Sequence, residues 1–314
     1  MSQHSTTNLD PRRVSTRSAG ARPGLRGDRA RSGAGPISLR APTELAAMRR
    51  AGEVLHAALD AAADACVVGA TTAAIDAAAM SVIRNAGAEA LFRDYPSPDP
   101  DVAPFPACCC VSVNDEIVHG IPGKRVVRNG DVVSIDCGVR LDGWCADAAL
   151  TVPVGRVADE VIGLIECAQF MLAAAVRAAR PGARWSDIAG EMQSMALERG
   201  HGIVVEYVGH GIGRELHEKP QVPNCLSPDF LAHGDFTLRP GMVLAIEPML
   251  TLVGAGVDAA GFPIGVATNR LSDGWTVVSA DGSPAVHVEH TVAITRRGCD
   301  VLTLGRQPIK IHAA

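Results

Sequence analysis

The chain has 314 residues, with 29 basic and 34 acidic side chains and a formal net charge of −5. Apolar residues make up 47% and charged residues 20%, a globular balance that excludes a disordered, collagen-like or coiled-coil protein. The mild acidity and the few aromatics (6 Phe, 3 Trp, 2 Tyr) argue against a surface built to coat nucleic acid or stack bases.

Residues 1–35 stand apart. They hold seven Arg and no Lys against Asp10 and Asp28, a net +5, which leaves −10 for the remainder. Large apolar side chains are almost absent, so burial cannot offset the entropy of ordering, and a disordered basic extension is expected. The same composition suits a phosphate-contacting tail or a transit peptide. No apolar stretch follows that resembles a secretory signal or approaches the ~20 residues of a membrane span. Nine cysteines (66, 108, 109, 110, 137, 145, 167, 225 and 299) show no CxxC pair repeated at zinc-site spacing. The expectation is a soluble, cytoplasmic protein with reduced thiols and no membrane partner. Successive strand residues face opposite sides, so Cys108, Cys109 and Cys110 cannot all converge on one ion; a core role is expected for them.

From Pro42 the pattern becomes periodic. Leu45, Met48, Leu55, Leu59 and Ala62 mark one helix, and Ile75, Met80 and Ile83 mark a second that starts near Thr71-Thr72. Five prolines make 94–106 a loop. Strands are expected over 111–118 and 131–139. An Ala-rich helix is expected over 157–180, ending before Pro181-Gly182, and another from Ser186 to Gly200. Short strands should follow at 203–208, 243–247, 276–280, 286–294 and 301–304. This order, helices then strands given twice, predicts an α+β fold with helices covering one curved antiparallel sheet.

Asp142-Gly143 between two apolar runs is a hairpin signal. With those two residues as the turn, Asp147 lies opposite residue 138, and Asp136 lies diagonally beside it on the same face. Two carboxylates in so apolar a segment repel each other. No Arg or Lys is evident to compensate them, and a divalent metal would. Further ligand types follow: His210 and His217 in a Gly-rich stretch, Glu247 ending an apolar strand, and Glu289 within another. Two Asp, one His and two Glu carry enough charge for two divalent ions.

These segments resemble type I methionine aminopeptidases, which share the pita-bread metallopeptidase fold. The resemblance runs from about 37 to 305. It rests on NDEIVHGIP (114–122), the Asp136–Asp147 pair, GHGIG (209–213), HEKPQV (217–222), AIEPM (245–249), DGWTV (273–277) and VEHT (288–291). It implies a catalytic domain over 36–314 with two helix pairs in pseudo-twofold arrangement. It also implies that Asp136 binds one ion, His210 and Glu247 the other, and Asp147 and Glu289 both. The ions would be Co, Mn, Fe or Zn, sharing a hydroxide that attacks the first peptide bond. Glu247 would shuttle the proton, while His119 and His217 would bind substrate and stabilise the tetrahedral intermediate. Cys110, Leu216 and Trp275, with Phe105, would line the methionine slot. The implied substrates are N-termini of nascent polypeptides with a small second residue. A transient ribosome contact through the basic tail, a monomeric state and no specific DNA partner are further expectations.

The chain departs from the family pattern in three places. Pro- and Asp-rich residues 94–106 replace a Tyr-rich segment, Ala146 stands where Gly is usual, and 251–272 is longer than the usual connection. A proline-specific aminopeptidase or dipeptidase would share the five ligands but resembles the chain less at 114–122 and 273–277. A binding protein that had lost catalysis would be expected to lack ligands, and all five are present.

Overall fold

The computed structural model describes residues 36–254 and 256–304; the expectations for 1–35, and for the end of the catalytic domain at 305–314, lie outside it. Helix α1 (Pro42–Ala65) opens with a proline in its first turn, and the Glu44 carboxylate accepts the Ala41 N–H at 2.8 Å. It buries Met48, Leu55, Leu59 and Ala62 of the predicted stripe, while Leu45, in the first turn, is only half-buried. Helix α2 (Thr72–Asn85) is capped by Thr71, whose side chain accepts the Ala74 N–H. Strand β1 (Glu89–Ala90) is followed by the proline-rich loop. Then come β2 (Cys109–Val113), β3 (Glu116–Val118), β4 (Val132–Leu141) and β5 (Trp144–Pro153).

The single strand expected over 111–118 is two strands in different sheets. Asn114 turns the chain between them at φ 62°, a left-handed conformation that Asn adopts more readily than most residues. The β4–β5 hairpin has the predicted register: Leu141 faces Trp144, Gly138 faces Asp147 and Asp136 faces Ala149. Asp142 (φ 52°) and Gly143 (φ 74°) supply the two positive φ values that such a tight turn requires. The Arg214 guanidinium lies 3.7 Å from the Trp144 ring centroid and closes the hairpin's end.

The second half begins with α3 (Asp159–Ala178) and α4 (Trp185–Glu198). Strands β6 (Gly202–Ile203), β7 (Gly209–Gly211) and β8 (Glu218–Val222) follow, with a π-helical turn at Phe230–Gly234. Beyond it lie β9 (Val243–Ile246), β10 (Met249–Thr251), β11 (Thr268–Arg270), β12 (Val277–Ser279), β13 (Ala285–His287), β14 (Glu289–Ile294) and β15 (Cys299–Val301). The strand expected over 203–208 is only two residues long. The one expected over 286–294 breaks at Val288, whose N–H leaves the ladder for the Pro248 carbonyl. Strands β13 and β14 therefore enter different sheets.

The main sheet runs β1-β4-β5-β14-β9-β7-β8, with β2 beside β4 and β15 beside β14, and its pairs are antiparallel. Two apolar clusters hold the helix pairs to it. One packs Leu55, Leu59, Ile75 and Ile83 against Val133, Ile135 and Leu150. The other packs Leu164, Met171, Trp185 and Met192 against Leu244, Ile246 and Val292. Helix α3 is long and apolar enough to cross a bilayer, but half of its most apolar window is buried against this second cluster.

Gly52 on α1 shows how tight the packing is. A Cβ there would stand 2.1 Å from the Leu302 carbonyl oxygen, a backbone atom that cannot rotate away. Gly52→Ala gains about 1 kcal/mol of helix propensity but overpacks by more, so a net loss of about 1–2 kcal/mol is expected. Thermal denaturation checks this: an unchanged or raised melting temperature contradicts the packing.

Candidate metal centre

Adjacent strands of the main sheet each deliver one of the predicted ligands. Asp136 comes from β4, Asp147 from β5, Glu289 from the start of β14, Glu247 from the residue after β9, and His210 from β7. Glu289 and Asp136 both face Ala149, on either side of β5. Thr291 locks the β5–β14 junction: its hydroxyl donates to the Asp147 carbonyl at 2.7 Å and accepts the Asp147 N–H at 3.0 Å.

Ligand atoms of Asp147, His210 and Glu289 lie within 4.8 Å of one another. His210 Nε2 is 3.8 Å from Asp147 Oδ2 and 3.7 Å from Glu247 Oε1. Asp136, half-buried but with Oδ1 covered, adds a further carboxylate. Burial pushes its pKa well above the ordinary carboxylate range, and the charges of Asp147 and Glu247 add to the effect. Burial and then Glu247 raise Asp147; burial and then Asp147, Glu247 and Asp136 raise Glu289. Asp136 Oδ1, Asp147 Oδ1 and Glu289 Oε1 are buried without hydrogen-bond partners. Among the described residues, the ion pairs of these carboxylates involve histidine and no Arg or Lys. Orphaned, mutually repelling oxygens with one imidazole suit divalent cations of the borderline first row.

His119 and His217 flank this centre. The His217 ring lies edge-on to His210 at 4.3 Å between centroids. Burial, helped by the charge of His119, lowers the His217 pKa to about 4. His119 adopts φ 61° and meets Tyr207 and Trp275 edge-on at 5.5 and 6.3 Å. The four residues expected in the apolar slot share one cluster: Phe105, Cys110 and Leu216 are buried, and Trp275 packs on them with its ring 5.3 Å from Phe105. Cys110 faces Asp136 across β2–β4, so the slot adjoins the carboxylates.

Sequence reasoning missed several neighbours. Tyr95 bonds His217 Nδ1 at 2.9 Å from within the proline-rich loop. Phe92 and Ile121 join the slot's cluster. His287 puts Nε2 3.6 Å from Glu247 Oε2 and 3.9 Å from Glu289 Oε2. A signal for His287 existed, since it stands two residues before Glu289 in an apolar strand. Tyr95 carried none, because its contact is made through a loop.

Two helix pairs over one antiparallel sheet, with carboxylates and histidine converging at its middle, define a metal-dependent hydrolase of the pita-bread fold. The chain belongs to metallopeptidase family M24, whose sequence model matches residues 46–296. It is 39% identical over 267 residues to "Methionine aminopeptidase 1" of Bacillus subtilis, covering 85% of this chain and 99% of that protein. It is 42% identical over 276 residues to "Methionine aminopeptidase 1" of Mycobacterium tuberculosis, covering 86% and 96%. The solved structure of a methionine aminopeptidase from Thermotoga maritima superposes with a TM-score of 0.76 at 34% identity, covering 85% of this chain and 99% of that one. A prolidase from Pyrococcus horikoshii shares the fold at 21% identity and a TM-score of 0.65, covering 87% and 65%.

The raised carboxylates set a pH dependence. The folded, metal-free chain holds protons that the unfolded chain releases near pH 4 to 4.5, so these groups contribute less stability as pH rises through their folded values. A divalent cation displaces those protons, so its stabilising effect grows with pH. The rise in melting temperature on adding Mn(II) to chelator-treated protein should be larger near about pH 7.5 than near about pH 5.5. Equal rises would contradict the shared burial of the carboxylates.

Proposed function

We propose that this chain removes the N-terminal methionine from nascent proteins and from peptides whose second residue is small. One observation carries the reading: Phe105, Cys110, Leu216 and Trp275 pack in one apolar cluster, and its Cys110 stands opposite Asp136 in the β2–β4 register, which puts an apolar wall beside the carboxylates. A flexible thioether suits such a slot. The names of the relatives support the same activity.

Asp136 would hold one divalent ion, His210 and Glu247 a second, and Asp147 and Glu289 both. Bound there, the ions would supply Lewis acidity, polarising a carbonyl and bringing the pKa of water toward neutrality. Glu247 accepts a proton from the attacking water at a carboxylate oxygen and returns it to the leaving amine. With Nδ1 engaged by Tyr95, His217 presents Nε2 to the substrate; as its pKa is about 4, the ring is neutral at pH 7. His119 offers a second hydrogen-bonding ring beside it, and the two steady the developing oxyanion. Burial and the charges of Asp136 and Asp147 keep the Cys110 thiol protonated, so that wall of the slot stays uncharged. Tyr207 packs edge-on against His119 and would steady that ring. The nine free thiols support a reducing, cytoplasmic setting. A monomer that meets emerging chains at the ribosome completes the proposal.

Release of methionine from a Met-Gly-Met peptide should stop with chelator and return with Mn(II) or Co(II). Cleavage of Xaa-Pro peptides in its place would overturn the specificity. Asp136→Asn and Glu289→Gln should lose bound metal together with at least about 100-fold in turnover. Wild-type metal content with retained activity would remove them from the ligand set. Gly138 lies between the apolar cluster and the carboxylates: an added Cβ would sit 2.9 Å from Phe92 Cε1 and 3.4 Å from both Leu216 Cδ1 and Asp147 Oδ1, so metal content is measured alongside the rate. Gly138→Ala should therefore lower kcat/KM for methionyl peptides by about tenfold, the scale of one misplaced methyl. Steady-state kinetics on a fully metal-loaded sample measure it.

A further inference from the structure

We propose that Asp76, Cys108 and Cys109 form a separate metal site that takes a thiophilic d10 cation, Zn(II) being the simplest. The three cysteines are buried and do not all face one point, as the sequence argument expects, but that argument leaves the pair Cys108 and Cys109 open. Cys108 precedes β2, so strand alternation does not separate it from Cys109, the strand's first residue. Their sulfurs lie 3.7 Å apart. Two thiolates on one tetrahedral zinc, at about 2.3 Å each, are about 3.8 Å apart. The Asp76 carboxylate and both sulfurs place ligand atoms within 4.8 Å of one another. Cys110 points away, into the apolar slot.

The surroundings hold these groups in place. Asp76 Oδ1 accepts the N–H groups of both Cys108 and Cys109, each at 2.9 Å, so α2 is tied to the start of β2 through the carboxylate. That leaves Oδ2 for a cation, with the kind of outer support that orients metal ligands. Cys137 packs behind as a third sulfur, opposite Cys109 in the β2–β4 register, and its thiol donates to the Cys108 carbonyl at 3.5 Å. The three thiols are fully buried, while Asp76 is half-buried and lines a surface cavity of about 320 Å³. An ion would enter there. Arg84 and Arg93 line the same cavity and offset the negative charge left by two thiolates and a carboxylate around a divalent ion. Two soft sulfur donors beside one carboxylate favour a thiophilic cation over a hard one. Each thiol gives one proton to solvent as its metal–sulfur bond forms, and no electrons are transferred.

The candidate catalytic ligands are oxygen and nitrogen donors, so a sulfur-specific spectrum separates the two sites. The full chain is stripped with chelator under reducing conditions and titrated with Co(II). A sulfur-to-cobalt charge-transfer band should appear, persist in Cys110→Ser, and vanish in Cys108→Ser and Cys109→Ser. Asp76→Asn keeps an acceptor for both N–H groups and leaves the thiols in place. It should bind Zn(II) at this site about tenfold more weakly or worse. Three results would overturn the proposal: no such band at any cobalt load in protein with a native circular dichroism spectrum, a band that survives both cysteine substitutions, or undiminished Zn(II) affinity in a folded Asp76→Asn protein.

Discussion

Four carboxylates brought to one place inside the sheet repel each other, and the surrounding architecture resists that repulsion. Asp136 and Asp147 are held together by the ten-residue strands of the β4–β5 hairpin, whose pairing extends from Val132 opposite Pro153 to Leu141 opposite Trp144. Glu289 is added by pairing β14 to β5, and Thr291 bonds that seam on both sides of the Asp147 peptide. Glu247 is added because β9 runs beside β14 and ends there. Burial holds Asp136, Asp147 and Glu289 toward their protonated forms, and a cation that displaces those protons stabilises the folded chain. Metal affinity and fold stability are therefore one quantity seen from two sides.

The centre also joins the two halves of the chain. Asp136 and Asp147 come from the half built on α1 and α2, while His210, Glu247 and Glu289 come from the half built on α3 and α4. Each half has its own apolar cluster. The halves meet where β5 pairs with β14, through Glu289 opposite Ala149 and His290 opposite Ala148. That ladder is short, so the rest of the seam depends on packing and on the Thr291 bonds. A site drawn from both halves exists only after both have folded and docked.

What was legible in the sequence was what local chemistry decides. The α1 and α2 stripes follow from helical spacing, their starts from Pro42 and Thr71, and the Asp136–Asp147 face from a two-residue turn whose geometry fixes every partner beyond it. What was not legible depends on distant partners. Strand β7 is three residues of Gly-His-Gly with no strand pattern of its own; it exists because β8 and β9 flank it. The break at Val288 depends on a carbonyl forty residues away, that of Pro248. The closeness of the Cys108 and Cys109 sulfurs depends on Asp76 drawing both amides toward α2, a contact that no pattern within 108–110 contains.

The loop over 94–106 shows how an irregular segment can serve a site. Its carbonyl at Ala103 accepts the Trp275 indole N–H at 2.9 Å, and its Phe105 meets the Trp275 ring edge-on. Its Tyr95 bonds His217. One loop thus fixes the Trp275 indole and holds His217 beside the candidate metal centre. Flexible, its ordering would be a cost of every substrate encounter. Prolines at 96, 98, 100, 104 and 106 restrict the unfolded and unbound chain and reduce that cost in advance. A methionine side chain entering the slot then gives up chiefly its own rotamer freedom, about 1.5–2 kcal/mol, against the gain from burying a thioether. Where 94–106 departs from the family's usual sequence, its five prolines thus give the segment a rigidity of its own, and its bonds to Trp275 and His217 fix where that rigidity is applied.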